Sequence, residues 1–349
     1  MSNTNRMGHT VRNSINMSLQ DYHDKWMYSF AMLFHKTIYN HIAWNEHRSN
    51  LRHSRQLLRL AGFTLWPPVV ILTIYSALLA AYNEEVAIPS QGKYAIMHIP
   101  SGPLTFTAAA LIVLLSFRMT ACYGRFDEAR KIWGANLNRG RDLARQACTW
   151  MDSKEDEKIF HTFIQYLKAF PYCMKENIEG EGRLHDELVS ILDAQDLEVL
   201  LASAPMIPNH CCQVLTELLA KSHMPDILKA FVSQNIQTFV DNTGMCERLF
   251  KTPIPLSYTH LTSQFLVVWH VVLPLAIWDS CGWLVVPATF FSAAALFCID
   301  EVGIQIEEPF SVLPLQAICD GIRNNIEHIK NAHERIILMA HDMPLRRRD

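Results

Sequence analysis

The stretch Pro103 to Gly134, PLTFTAAALIVLLSFRMTACYGRFDEARKIWG, constrains this chain more than any other part of it. It is uncharged through Phe117 and then passes, with no Gly or Pro at the junction, into the basic and aromatic segment RMTACYGRFDEARKIW. A run of about 20 mostly apolar residues spans the hydrocarbon layer of a bilayer. A water-soluble helix has no reason to be built in two such halves. A helix that crosses a membrane and continues past its surface does.

The apolar residues elsewhere follow the same logic. The chain has 349 residues, of which 50% are hydrophobic and only 19% charged, and its net charge is −3. Three regions concentrate the apolar residues: Leu60 to Tyr82, Pro103 to Phe117, and Leu261 to Ile299. The first has no charge between Arg59 and Glu84. The third is nearly twice the length of one crossing and is split by DSCGW at Asp279 to Trp283. Four crossings are therefore expected, at about 60–82, 103–122, 261–279 and 283–299. Buried helices of a soluble protein would be the other reading, but such helices carry a polar face that these runs lack.

Charge placement gives an orientation. The connector Asn83 to Gly102 carries Glu84 and Glu85 against Lys93, and the connector between the last two crossings holds only Asp279. Lys and Arg collect in the N-terminal arm, in the middle segment and in the tail LRRR, so both termini and the middle segment share one face by the positive-inside bias. Trp66, Trp269, Trp278 and Trp283 stand near the expected crossing ends, where amphipathic rings favour the headgroup layer.

The middle segment, about Tyr123 to Phe250, reads as helices. KEDEKIFHTFIQYLKAF spaces Ile159, Phe160, Phe163, Ile164 and Leu167 on one helical face. LHDELVSILDAQDLEVLLA continues the pattern, and MPDILKAFVSQNIQTFVDNTG is expected to end at a C-cap on Gly244. NIEGEGR and SAPMIPNH are turn-rich. VLPLQAICDGIRNNIEHIKNAHERIILM adds a last long amphipathic helix, and no useful strand alternation occurs. The expected fold is all-α. Its parts are an N-terminal arm with an amphipathic helix (1–59), two membrane helices (60–122), a helical extramembrane region (123–250), two more membrane helices (251–299) and a C-terminal helical segment (300–349).

Two runs carry a resemblance. SFRMTACYGRFDEARKIWG resembles the end of the second membrane helix of bestrophin-like channels, with a Phe-Arg pair, a tyrosine, an arginine, Glu-Ala-Arg and Trp-Gly. The longer run from CERLFKTPIPLSYTHLTSQF to EVGIQIEEPFSVLPL is similar to the family's third and fourth membrane helices, including its Thr-Pro-Ile-Pro signature and its acidic-Pro-Phe motif. YNHIAWNEHRSNLRHSRQLL and VGIQIEEPFSVLPL are similar to the branch of voltage-dependent chloride channels of plant thylakoids. The resemblance covers about residues 36 to 330.

The resemblance implies a homopentamer around one pore lined by five copies of the second membrane helix, passing chloride or other small anions. Residues spaced three or four apart share a helix face, which puts Phe106, Ala109 or Ala110, Val113 and Phe117 in one stripe. The family's hydrophobic neck corresponds to Ala109, Val113 and Phe117, with Phe106 and Ala110 as further pore lining. Ala109 and Val113 are smaller than the family's frequent choices, which leaves Phe117 as the tightest ring. An apolar ring gates by dewetting, and a phenylalanine edge carries partial positive charge. The same side chains would equally pack on a neighbouring helix. Arg118 and Arg125 would draw anions to the inner mouth; alternatively they anchor the helix or pair with Asp127 and Glu128.

In calcium-activated animal members an acidic run after Pro-Phe holds calcium. Here Pro309 and Phe310 are followed by SVLPLQAI, with no carboxylate until Asp320. Calcium takes six to eight oxygen ligands, so no calcium clasp is expected, and gating falls to voltage or another signal. His210, Cys211 and Cys212 adjoin, but lack a second pair at metal spacing. The nine cysteines show no paired framework, and Cys122, Cys281 and Cys298 behave as small apolar residues in or beside membrane helices. His35, His41, His47 and His53 suggest a pH response, while His260 and His270 are polar groups at membrane depth.

No nucleophile elbow, zinc-protease motif, phosphate loop or dinucleotide fingerprint occurs. The chain is therefore not expected to be an enzyme, and no cofactor, metal or nucleic-acid partner is expected. A bicarbonate channel, a cation channel and a non-conducting membrane scaffold stand as alternatives to the chloride channel. MSNTNRMGHTVRNSINMSL has some transit-peptide character, with Arg6 and Arg12 and no acid before Asp21. With the resemblance, it points to a chloroplast thylakoid membrane.

Overall fold

A computed structural model describes residues 66–151 and 153–341 together with His41, Trp44 and Arg48. The N-terminal arm, with His35, His47 and His53, the first residues of the expected first crossing and the LRRR tail lie outside the described residues. Among the described residues every regular element is helical. We number them α1 (Trp66–Tyr82), α2 (Gly102–Trp150), α3 (Glu157–Glu179), α4 (Leu184–Leu188), α5 (Ala194–Ala202), α6 (Ile207–Lys221), α7 (Asp226–Lys251), α8 (Leu256–Cys281), α9 (Val285–Glu307) and α10 (Leu315–His341). The chain forms two compact units, Met1–Met119 with Ser257–Ile304, and Thr120–Leu256 with Gln305–Asp349.

α2 is continuous for 49 residues, about 74 Å at 1.5 Å per residue. That is more than twice the hydrocarbon thickness of a bilayer. Gly124, Gly134 and Gly140 lie inside it without interrupting it, since each turn keeps its backbone bonds. At Gly140 a Cβ would meet Ile322 Cγ2 at 3.3 Å, so there the missing side chain admits α10.

In the first unit, α1, the N-terminal part of α2, α8 and α9 pack together. Val69 and Leu72 of α1 share a core cluster with Leu111 and Leu115 of α2, Leu266 of α8, and Ala293 and Phe297 of α9. α8 and α9 are joined by a short 3-10 turn, Gly282–Leu284, entered through Gly282 at φ +51°. Only glycine takes that conformation at little cost. The chain reverses there: Ser292 Oγ lies 3.3 Å from His270 Nε2, and Leu266 meets Phe297. Among the described residues, three uninterrupted runs are long and apolar enough to cross a membrane, Trp66–Ala87, Gly102–Trp150 and Leu256–Glu307. The last of these contains both arms of the α8–α9 hairpin. α8 begins before 261, and α9 runs past 299 to Glu307.

The two short connectors meet. Asn83 receives the Met97 backbone N–H on Oδ1 at 2.8 Å and returns Nδ2 to the Met97 carbonyl at 3.0 Å. The Ile99 N–H bonds the Leu275 carbonyl at 3.1 Å, and His98 Nδ1 lies 2.7 Å from Asp279 Oδ2.

In the second unit α3 is the central helix. It buries Phe163, Leu167, Phe170, Met174 and Ile178, an i, i+4, i+7 stripe that packs on α6, α7 and α10. Phe170 stacks on Phe239 of α7 at 4.1 Å between centroids. α7 lies against α2 through Asn242 to Asn136 (2.5 Å), Arg139 to Asn235 (2.8 Å) and Arg248 to Glu128. α10 is tied to α3 by Tyr172 to Asp320 (2.6 Å), Lys168 to Glu327, and the buried Lys175 to Gln316.

One expected boundary is corrected. Gly244 does not end its helix: α7 continues to Lys251. Its buried stripe Phe239, Thr243, Cys246 and Leu249 extends past the glycine, and burying those side chains outweighs about 1 kcal/mol of glycine helix penalty.

Candidate functional site

The first half of α2 has two opposed faces. Leu104, Leu111, Leu115, Arg118 and Cys122, spaced seven, four, three and four apart, are buried. Phe106, Ala109, Ala110, Val113 and Phe117 point outward, with Phe106 84% and Phe117 65% exposed. All five stripe residues of the sequence analysis thus share an unpartnered face of the single chain. An apolar face of this kind marks contact with lipid, with further copies or with a passage.

Arg118 and Arg125 do not lie on that face. Arg118 is 1% exposed. Its Nη1 donates to the carboxylate of Asp300 on α9 and lies 3.4 Å from Ser263 Oγ on α8. The charge is therefore balanced by Asp300, not by Asp127 or Glu128. Its Nε and Nη2 are buried without a hydrogen-bond partner. Leaving a buried donor unmet costs about 1–3 kcal/mol, more for a charged group. Arg118 thus combines a formed buried pair with two unmet donors.

Arg125 is half-buried and serves backbone carbonyls. Nε donates to Glu307 O at 2.8 Å, Nη1 to Thr252 O at 2.7 Å and Nη2 to Leu249 O at 2.5 Å. Glu307 and Leu249 lie in the last turns of α9 and α7, and Thr252 is the C-cap residue of α7. Helix C-termini expose unpaired carbonyls and carry partial negative charge, so one guanidinium closes both. Asp127 instead binds Arg130 at 2.7 Å and Lys131 at 2.6 Å.

The acidic-Pro-Phe motif is occupied by backbone. Glu307 Oε1 accepts from Ile254 N–H at 3.2 Å, Glu308 Oε2 from Ser311 N–H at 3.2 Å, and Phe310 is buried. No group of three or more His, Cys, Asp or Glu side chains among the described residues is placed to hold a metal. Cys211 and Cys212 are core residues. Cys211 Sγ lies 3.3 Å from the Tyr166 carbonyl, and burial pushes the Cys212 thiol up to about 12. His270 is buried, its Nδ1 2.8 Å from the Leu266 carbonyl.

Asp300 is the residue that sequence reasoning missed. It falls one position beyond the expected end of the fourth crossing and 182 positions from Arg118. The available signal was an acidic residue at the edge of an apolar run, which normally has a partner.

A family model described as Bacterial/Fungal Bestrophin protein matches residues 43–328. The chain is 39% identical to Voltage-dependent chloride channel 1, chloroplastic, of Arabidopsis thaliana over 298 residues, covering 84% of this chain and 72% of the relative. It is 36% identical to Voltage-dependent chloride channel 2, chloroplastic, of the same plant, covering 86% and 74%. In structure it is similar to a bacterial bestrophin homolog from Klebsiella pneumoniae, with a TM-score of 0.69 at 22% identity, covering 76% of this chain and 98% of that one. That structural likeness is one of fold.

Proposed function

The chain belongs to the bestrophin family, and from that premise we propose that it conducts chloride through a pore lined by the outward face of α2. It is an anion channel and not an enzyme. The observation that carries the pore assignment is the exposed stripe Phe106, Ala109, Ala110, Val113 and Phe117, opposite a face that is fully packed. The described residues of one chain give this stripe no cover. Five copies around an axis would turn it inward, with Phe117 as the narrowest apolar ring, and such a ring gates by dewetting.

Four membrane crossings fit this reading better than three. The reversal at Gly282 makes the 52-residue apolar run two antiparallel helices, and the contact of His98 with Asp279 brings the two short connectors to one end. Arg125, held by carbonyls rather than by a carboxylate, keeps a net positive charge on α2 and is our candidate for drawing anions. Arg118 contributes through its pair with Asp300 and not as a free charge. The names of the plant relatives support voltage dependence and a chloroplast membrane.

Calcium is not the gating ligand on this reading, because Glu307 and Glu308 each commit an oxygen to backbone N–H and no carboxylate follows before Asp320.

The test is reconstitution in planar bilayers under a KCl gradient. A reversal potential near the chloride equilibrium value supports the proposal. A reversal of opposite sign, or silence at every voltage, rejects it.

A further inference from the structure

Between Pro103 and Gly124, α2 carries a single charged side chain, Arg118. It follows Phe117 directly, so the buried charge and the outward ring sit on one rigid turn of helix. The opposing charge, Asp300, belongs to α9, and Ser263 of α8 takes up the same Nη1. The guanidinium is thus gripped at one corner while Nε and Nη2 stay buried and unmet. A polar atom of α8 is in the same condition: Thr259 Oγ1, buried and without a partner. Thr259 precedes Ser263 by one turn, on the same face of α8. Unused donors on Arg118 and an unused acceptor one turn of α8 from Ser263 therefore accompany a pair that is already formed.

A charge inside a membrane feels the transmembrane potential, and an intramembrane arginine with a carboxylate partner is how such fields are converted into movement. We infer that Arg118 and Asp300 are the charge pair through which voltage acts on the pore helix, Arg118 shifting between its contacts with Asp300 and Ser263 and a second position on Thr259. Because Phe117 is fixed to the same turn, a shift of Arg118 turns or tilts the ring. This rests on the reading of α2 as pore lining and assigns the voltage response to named groups.

The experiment uses the full chain in planar bilayers, recording conductance against voltage for wild type, Arg118→Gln/Asp300→Asn and Thr259→Val. The double variant removes both buried charges while leaving two amides able to bond each other, so no orphaned charge is created. The expected result is a conductance–voltage slope reduced to about half or less with anion selectivity intact, since the charge that moves in the field is gone. Thr259→Val is expected to shift the voltage midpoint with the wild-type slope retained, because one of the two resting places is lost.

A double variant with wild-type slope and midpoint overturns the inference, as does a wild type whose conductance is independent of voltage. If the double variant does not assemble, an unchanged midpoint in Thr259→Val overturns it. A wild type that passes cations or nothing rejects the pore reading itself. That outcome is distinct from an anion current whose voltage response ignores the pair.

Discussion

Arg125 donates from Nε to the carbonyl oxygen of Glu307 at 2.8 Å, and its other nitrogens reach the carbonyls of Thr252 and Leu249. One side chain of α2 thereby closes the C-terminal ends of both α9 and α7. The planar fork is what makes this possible, since it aims several donors at once.

Replacing Arg125 by Ala is expected to destabilise the protein by about 2–4 kcal/mol, the loss of several charge-assisted bonds to helix ends. Arg125→Lys keeps the charge but not the fork, and about half the loss should remain. Thermal unfolding in detergent checks both. A lysine variant as stable as wild type would mean that charge alone, and not the three-carbonyl geometry, does the capping.

Phe117→Ala is expected to raise single-channel conductance by about two-fold or more, by widening the apolar ring. Phe106→Ala, nearer the start of the stripe, should have a smaller effect. Single-channel records in bilayers test the pair, and an unchanged Phe117 variant would take that residue out of the neck.

His223 supplies a pH dependence in the second unit. Its Nδ1 lies 2.9 Å from the buried Asp156, which also accepts the His223 N–H at 3.0 Å, and Nε2 lies 3.1 Å from Glu155. The bond with Asp156, followed by its negative charge, raises the imidazole above its ordinary 6.5. A raised folded value means that the stabilisation is full below about 6.5 and fades as pH rises through the higher folded value. Wild type should therefore lose more thermal stability than His223→Gln between pH 6 and 8, about the window where histidine titrates. Equal pH slopes for the two proteins would argue against the pair.

Calcium should leave the current unchanged. Adding micromolar free calcium, or chelating it, is expected to alter neither open probability nor conductance, since the segment after Phe310 offers no carboxylate before Asp320 to an ion that takes six to eight oxygen ligands. Current that appears only with calcium would contradict this.

Much of this was legible along the chain. The apolar runs, the break at DSCGW and the unbroken passage from Phe117 into a basic helix all reappear as α1, α2, α8 and α9. The stripe from Phe106 to Phe117 was also legible, because helical periodicity alone puts those positions on one side. Gly244 misled, because a glycine signals a helix end only when no buried stripe continues beyond it, and here Cys246 and Leu249 continue it. The two arginines misled further. Asp127 and Glu128 are the nearest carboxylates in sequence, yet Arg118 finds Asp300 and Arg125 finds three carbonyls.

The sequence by itself determined that this is a helical membrane chain of the bestrophin kind, since hydropathy, helical period and motif spacing are local properties that survive without knowing what touches what. Only the tertiary structure decided which arginine is buried against a carboxylate and which caps helix ends. Those outcomes depend on groups more than a hundred positions apart being brought together: buried Arg118 needs a carboxylate because an unpaired charge there is costly, half-buried Arg125 needs only carbonyls, and the packing of the helices decides which of these comes within reach.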